Sequence, residues 1–409
     1  MNMTKKIVIL GGGYGGLITS RKLERLLQEN EAEVTLINKH EYHYVATQLH
    51  KTGAGTATDD KITLHIPDLL KTKKILFKKA TVNTVDFNEQ QVYLENGEKI
   101  AYDYLVLSLG YEVDTFGIPG VEENAFKIRS FRSTKAIYNH ILHQFEAYQT
   151  DNDPSRLTFV VAGAGFTGVE MIGELVEAIP GLCKKYHVPV NKTRIINIEA
   201  SESVLPGFDQ KAIDFTTDYV KKHGVELMTS TKIMECSPTS IQLSDGSDLP
   251  ARTLIWSGGV RGNKLLEKLD LPVERSRVKV DSYLRVQGME NVFCIGDAAR
   301  FMKNETDALP PTAQVAIQQA EVCGPNLVAA IRRESLKAFE YHHKGTVASI
   351  GNTTAVGNVF GIKISGIFAA FMKQVIEARY LFVLGGPSLV LKQFSKLQKP
   401  YQTFVSQNK

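Results

Sequence analysis

The sequence predicts an α/β protein with two Rossmann-like dinucleotide-binding units and an amphipathic C-terminal region. Three observations carry that prediction. Two G-x-G-x-x-G loops, Gly11–Gly16 and Gly163–Gly168, each follow a short apolar strand and open a helical pattern. A third apolar strand, from Asn291, ends in Gly296-Asp297. Beyond Gly361 the chain turns apolar and basic together, with a single acid, Glu377.

At 409 residues there is room for two or three domains of about 100–200 residues each. A content of 43% hydrophobic and 22% charged residues supports a sizeable core and argues against disorder. Cys183, Cys236, Cys294 and Cys323 show neither C-x-x-C nor metal-ligand spacing. They fit reduced thiols better than a disulfide framework, and no metal site is expected. Lys5 and Lys6 precede an apolar run, but the glycines at 11, 12, 13, 15 and 16 argue against a signal peptide. No apolar stretch is as long as the ~18 residues a membrane-spanning helix needs. Charge is uneven: the whole chain is +4, residues from Gly361 onward sum to +6, and the first 360 to −2. Lys399 and Lys409 contribute to that basic tail.

In the first unit, strand Ile7–Leu10 leads through Gly11, Gly13 and Gly16 into a helix over Leu17–Leu27. Gly11 permits the tight turn, Gly13 a close approach of backbone to pyrophosphate, and Gly16 close helix–strand packing. The phosphates would meet a helix N-terminus, whose free N–H groups and dipole favour anions. The next strand, Val34–Asn38, ends in Asn38 where an acid usually bonds a ribose. An amide can still bond a hydroxyl. The loop holding His43, Tyr44 and His50 is read either as site lining or as solvent-facing. Residues Lys74–Tyr104 are strand-rich, and Tyr104–Gly110 is another apolar strand ending in glycine. Ile118-Pro-Gly120 marks the first crossing between domains.

The second unit repeats the pattern around Gly163, Gly165 and Gly168, with its own second strand, Arg194–Ile198, ending in Glu199. Pro180–Lys192 reads as an insertion between them. An acid at Glu199 suits both hydroxyls of an adenosine ribose and repels a 2′-phosphate, which favours NADH over NADPH. Glu170, Glu174 and Glu177 share one helical stripe. A solvated acidic face is the simplest account of Glu174 and Glu177. Glu170 lies in the first turn after the glycine loop, faces the nucleotide site, and is a candidate proton carrier. Leu254–Arg261 marks the return crossing, and Asp297 either caps a helix or bonds a cofactor hydroxyl.

In this order, the pieces resemble the flavoproteins with two dinucleotide-binding domains. Pro310-Pro-Thr-Ala-Gln-Val-Ala-Ile-Gln-Gln-Ala320 narrows this, because it is similar to the A-Q-x-A-x-Q-Q signature of type II NADH dehydrogenases. Gln314 and Gln318, four residues apart on one helical face, could bond quinone carbonyls without burying charge. The resemblance covers essentially the whole chain. It implies FAD, held non-covalently, at Gly11, Gly13, Gly15, Gly16, Asn38, Lys39, Gly110, Gly296, Asp297, Ala313 and Gln314. It implies NADH at Gly163, Gly165, Gly168, Glu170, Glu199 and Gly259, with Glu170, Gln314, Gln318 and Lys373 as catalytic candidates near the quinone. Lys373 comes from Ala369-Ala-Phe-Met-Lys373, which is similar to the family's C-terminal segment.

The expected domain bounds are 1–118 and 265–335 for FAD, 119–264 for NADH and 336–409 for membrane association. Ile364, Ile367, Phe368, Phe371, Leu389, Leu391 and Phe394, interspersed with Lys and Arg, suit the headgroup region of an anionic membrane. A helix covering the flavin domain is the alternative reading of that segment. The expected activity is NADH oxidation through flavin to a quinone, menaquinone or similar, without proton pumping. The implied state is a homodimer, peripheral on the cytoplasmic face of the cell membrane, with no nucleic-acid partner. Three rivals stand beside this reading: a sulfide:quinone oxidoreductase on the same fold, for which Cys183 and Cys323 would have to be redox-active; a soluble ferredoxin or disulfide reductase, opposed by the lack of a C-x-x-x-x-C pair and by the amphipathic tail; and a slow nucleotide sensor.

Overall fold

The computed structural model describes residues 4–70, 72 and 74–397. In the first unit, β1 (Lys5–Leu10) leads into α1 (Tyr14–Leu26) and β2 (Ala32–Asn38). After α2 (Leu49–Ala54) come β3 (Ile75–Lys79) and β4 (Tyr104–Leu107). The second unit holds β5 (Phe126–Lys127), α3 (Phe131–Asp151), β6 (Thr158–Ala162) and α4 (Phe166–Lys185). It continues with β7 (Arg194–Ile198), β8 (Val225–Met228) and β9 (Thr253–Trp256). The chain then returns through β10 (Val292–Cys294) and α5 (Ala313–Arg332). It ends in strands β11 (Gly345–Ser349), β12 (Ala355–Val359) and β13 (Ile362–Ser365), followed by α6 (Gly366–Gly385) and α7 (Pro387–Leu397).

Two parallel five-stranded sheets result, ordered β10-β4-β1-β2-β3 and β5-β9-β6-β7-β8. The central strands alternate between two cores, because side chains on a strand point to opposite faces. Ile7 and Ile9 face the helices, with Leu17, Leu23 and Leu327, while Val8 and Leu10 face the strand-rich layer, with Val85 and Val92. The second unit repeats the device. Phe159 and Val161 join Phe145 and Ile172, whereas Val160 and Ala162 join Ile241 and Trp256. The two links between the sheets run side by side, Tyr111–Val113 pairing antiparallel with Val260–Gly262.

Two expectations need correcting. The first helix starts at Tyr14, one turn before Leu17, because Gly13 already serves as its N-cap. Pro180–Lys192 is no insertion as a whole: α4 runs through Pro180 to Lys185, and only Val190–Lys192 forms a separate short helix. The missing N–H of Pro180 is tolerated because the turn beyond it buries Leu182 and Cys183 in the core.

The third sheet, β11-β12-β13, is antiparallel and leads into α6. That helix has two docking sites. Ala369 and Ala370 rest on the sheet beside Ala355, and Tyr380, Leu381 and Leu384 enter the core of the first unit. The outer face of its first turns is apolar: Ile367 is 76%, Phe368 60% and Phe371 57% exposed. Leu391 is exposed as well, whereas Ile364 and Leu389 pack against core residues. Among the described residues no helix is long and apolar enough to cross a membrane. Lys399 and Lys409 lie outside the described residues.

Candidate functional site

The two glycine loops are built alike. A Cβ on Gly16 would stand 1.9 Å from the Gly11 carbonyl oxygen, and one on Gly168 would stand 1.9 Å from that of Gly163. Gly11 and Gly163 both have φ near +100°, at +103° and +92°. Only glycine meets both demands without strain. Gly13 and Gly165 are different, since a Cβ on either would meet nothing within 4 Å. Both cap their helices without any side-chain hydrogen bond. Open space in front of an uncapped helix N-terminus is where a pyrophosphate fits.

A shared clamp, not expected from sequence, sets each loop. Asn38 Oδ1 accepts from the Gly12 N–H at 3.0 Å, and Asn38 Nδ2 donates to the His40 carbonyl at 2.8 Å. At the equivalent place Glu199 accepts from the Ala164 N–H through Oε2 and from the Ser201 N–H, at 2.8 Å, through Oε1. Asn38, read from the sequence as a ribose contact, thus also clamps the loop. Glu199 takes the same structural duty, and its carboxylate keeps lone pairs for a ribose.

The other proposed FAD residues divide. Gly110 (φ +71°) has open space where a side chain would be, whereas Gly15 is pressed against Ser108 and Ile295, and so serves packing. Lys39 is exposed. Ala313 opens α5, which Thr312 caps by accepting from the Val315 N–H at 3.3 Å. Asp297 is the informative one. Burial pushes its carboxyl up to about 6 against the pull of Arg277, and Oδ1 has no partner among the described residues. A buried, unpartnered oxygen demands a donor, and a flavin's ribityl hydroxyl is a fitting one. Gln319, overlooked in the sequence, holds this corner by accepting from the Gly296 N–H at 2.7 Å. Its place beside Gln318 was the available signal. At Gly259, a φ of +80° and the Phe116 ring, 2.5 Å from where a Cβ would be, are enough by themselves to require glycine.

The acidic stripe of α4 is the larger correction. Glu174 is 1% exposed, because α2 packs over it, and it accepts from Thr56. Glu177 bonds Asn352. Glu170 forms an ion pair with Lys373 of α6 and lies 3.1 Å from His50 Nδ1. Ser349 bridges the pair, since Lys373 Nζ donates to its hydroxyl at 2.7 Å and its N–H donates to Glu170 at 3.3 Å. Burial would raise the Glu170 carboxyl, but the Lys373 ammonium and then His50 outweigh it and hold it down at about 2. Glu170 is thus a carboxylate at neutral pH. The nearest proton of the pair is on Lys373 Nζ. A polar pocket lined by Lys51, Ser349, Asn352, Gln374 and Glu377 opens beside Lys373.

Gln314 and Gln318, read from the sequence as partners for quinone carbonyls, are also held by main chain. Gln314 donates to the Gly345 carbonyl at 3.0 Å and accepts from the Lys344 N–H at 2.7 Å. Gln318 donates to the His342 carbonyl at 2.9 Å and accepts from the His342 N–H at 3.0 Å. Both therefore fasten segment 342–345, which begins the third sheet, to α5. All four cysteines are free and buried. Cys183 and Cys323 sit in different cores, and burial raises both thiols, Cys323 to about 12. Inert, separated thiols do not serve sulfide chemistry.

Two glycine-loop units in tandem define a pyridine-nucleotide oxidoreductase, and the family model for pyridine nucleotide-disulphide oxidoreductases matches residues 5–320. A type II NADH:quinone oxidoreductase from Staphylococcus aureus (strain NCTC 8325 / PS 47) is 40% identical over 395 residues, 95% of this chain and 98% of the relative. The chain belongs to the type II NADH:quinone oxidoreductases, within that wider family. Its fold is similar to NDH2 from Plasmodium falciparum solved with NADH (TM-score 0.87, 22% identity, 98% of this chain and 100% of that one). It is also similar to the sulfide:quinone oxidoreductase from Aquifex aeolicus (TM-score 0.75, 20% identity, 94% and 92%).

Proposed function

We propose that the chain oxidises NADH and reduces a membrane quinone, menaquinone or similar, with FAD held non-covalently at the first glycine loop. The observation that carries this reading is the Glu170–Lys373 ion pair. It joins the helix of the nicotinamide unit to a helix whose outer face displays Ile367, Phe368 and Phe371. A lipid-soluble acceptor and a water-soluble donor would meet at such a junction. When bound, FAD supplies the hydride acceptance and the two-electron donation that side chains cannot.

The residues do the rest. The helix N-termini at Gly13 and Gly165 bind the two pyrophosphates. Asp297 accepts from a ribityl hydroxyl, and Glu199 accepts from the adenosine ribose and disfavours a 2′-phosphate. Lys373 Nζ holds a proton beside the ionised Glu170, and Gln314 and Gln318 position the segment that carries Ser349. Residues 1–118 and 265–335 form the flavin unit, 119–264 the nicotinamide unit and 336–409 the membrane-associating region. We read the reaction as non-electrogenic. We place it on the cytoplasmic membrane face as a peripheral homodimer.

Anaerobic stopped-flow mixing tests the proposal. NADH should bleach the flavin absorbance quickly and NADPH slowly, and a short-chain menaquinone should restore it. Bleaching without recovery would favour a nucleotide sensor. Bleaching by sulfide but not NADH would sink the reading.

Membrane association makes a separate prediction. Burying a Phe side chain contributes about 1.5–3 kcal/mol, so Phe368→Glu with Phe371→Glu should weaken co-sedimentation with phosphatidylglycerol vesicles roughly 100-fold. Oxidation of NADH by a soluble quinone analogue should stay within about twofold of wild type. Undiminished vesicle binding would remove α6 from the membrane interface.

A further inference from the structure

His43, whose role the sequence left open, is 2% exposed and lies between the first glycine loop and α6. Its Nδ1 is 3.1 Å from the Gly12 carbonyl oxygen and its Nε2 is 2.7 Å from the Tyr380 hydroxyl. A carbonyl can only accept, so Nδ1 carries the hydrogen, Nε2 is the acceptor, and Tyr380 donates. Tyr14, inside the glycine loop, closes the arrangement. Its ring is 4.6 Å from that of Tyr380 and stands edge-on to His43 at 5.3 Å.

The consequence for the loop follows from peptide geometry. Asn38 holds the Gly12 N–H and His43 holds the Gly12 C=O, so the backbone at Gly12 is clamped on both sides. The Gly12 carbonyl and the Gly13 N–H share one planar trans peptide and point in opposite directions. Drawing the carbonyl towards His43 therefore turns the Gly13 N–H away from it.

We propose that His43 and Tyr380 are positioning residues for the flavin, fixing the Gly12–Gly13 peptide so that the docked end of α6 is part of the cofactor site. This rests on the assignment of FAD to the first loop. It adds a duty to a helix otherwise read as a membrane contact: through Tyr380, 337 residues beyond His43, α6 holds the phosphate cradle in shape.

The test is FAD release from the holoenzyme on dilution, followed by the rise of free-flavin fluorescence. Tyr380→Phe keeps the ring and removes the donor, and should release FAD roughly 5-fold faster. His43→Ala should do so roughly 30-fold faster. His43→Asn, whose amide can replace Nδ1 as donor to Gly12, should recover most of that loss. The double variant His43→Ala with Tyr380→Phe should be no faster than His43→Ala alone. If Tyr380→Phe releases FAD at the wild-type rate, or His43→Ala only lowers the melting temperature, the residues serve packing and the proposal is overturned. A wild-type protein without flavin absorbance would overturn the FAD assignment itself, and this inference with it.

Discussion

Lys373→Met is expected to slow reoxidation of the reduced flavin by menaquinone about 100-fold, the scale on which losing a positioned proton donor is felt. Reduction by NADH should stay within about threefold. The ion pair is mostly buried, with both side chains 11% exposed, so its loss leaves the Glu170 carboxylate without its principal partner. Removing one member of a buried pair costs about 3–5 kcal/mol, less here because some solvent reaches the site. The Glu170 carboxyl should then rise from about 2, since His50 alone is left to oppose burial. In the wild type a folded value below the ordinary 4.5 means that this group's contribution to stability is present above pH 4.5 and lost as pH falls through about 2. In Lys373→Met that loss should be smaller and complete at a higher pH. Stopped-flow of each half-reaction, with acid denaturation of both proteins, checks the two parts. Equal slowing of both half-reactions would show a damaged fold instead.

Asp297→Ala should have opposite effects on cofactor binding and on the apoprotein. Losing a hydrogen bond to a charged acceptor should speed FAD release roughly 30-fold. Stripped of flavin, however, the variant should be more stable than wild type at pH 8. Burial raises the Asp297 carboxyl from 3.8 to about 6 in the folded chain. A raised folded value means the group's stabilising contribution is full below pH 3.8 and lost as pH rises through about 6. Wild-type apoprotein therefore carries a buried, poorly compensated carboxylate at pH 8, and removing it should gain about 2 kcal/mol, after discounting for solvent. Urea unfolding of both apoproteins at pH 5 and pH 8 measures this. An Asp297→Ala apoprotein no more stable at pH 8 would show that the carboxylate has partners of its own.

Local pattern alone determined much of this protein. Strand, glycine loop and helix lie within about 30 residues, and the steric demand at Gly11 and Gly16 is expressed by the residue types themselves. That is why both units, their order and the late Gly296-Asp297 corner are legible without a structure. The amphipathic tail is legible for a similar reason, because the composition of one segment suffices.

What only the tertiary structure decided concerns partners brought together from afar. On the stripe of α4 the period alone cannot distinguish Glu174 from a solvated acid, and α2 buries it. Glu170 and Lys373 are 203 residues apart, and His43 and Tyr380 are 337 apart. Main chain arriving from residues 342–345 binds the amides of Gln314 and Gln318. Asn38 and Glu199 were placed at the ends of their strands, but the loop N–H groups they hold became visible only in three dimensions. Periodicity specifies which face of an element a side chain occupies. Which group meets it there depends on how distant segments pack, and buried polar atoms take whatever partner that packing supplies.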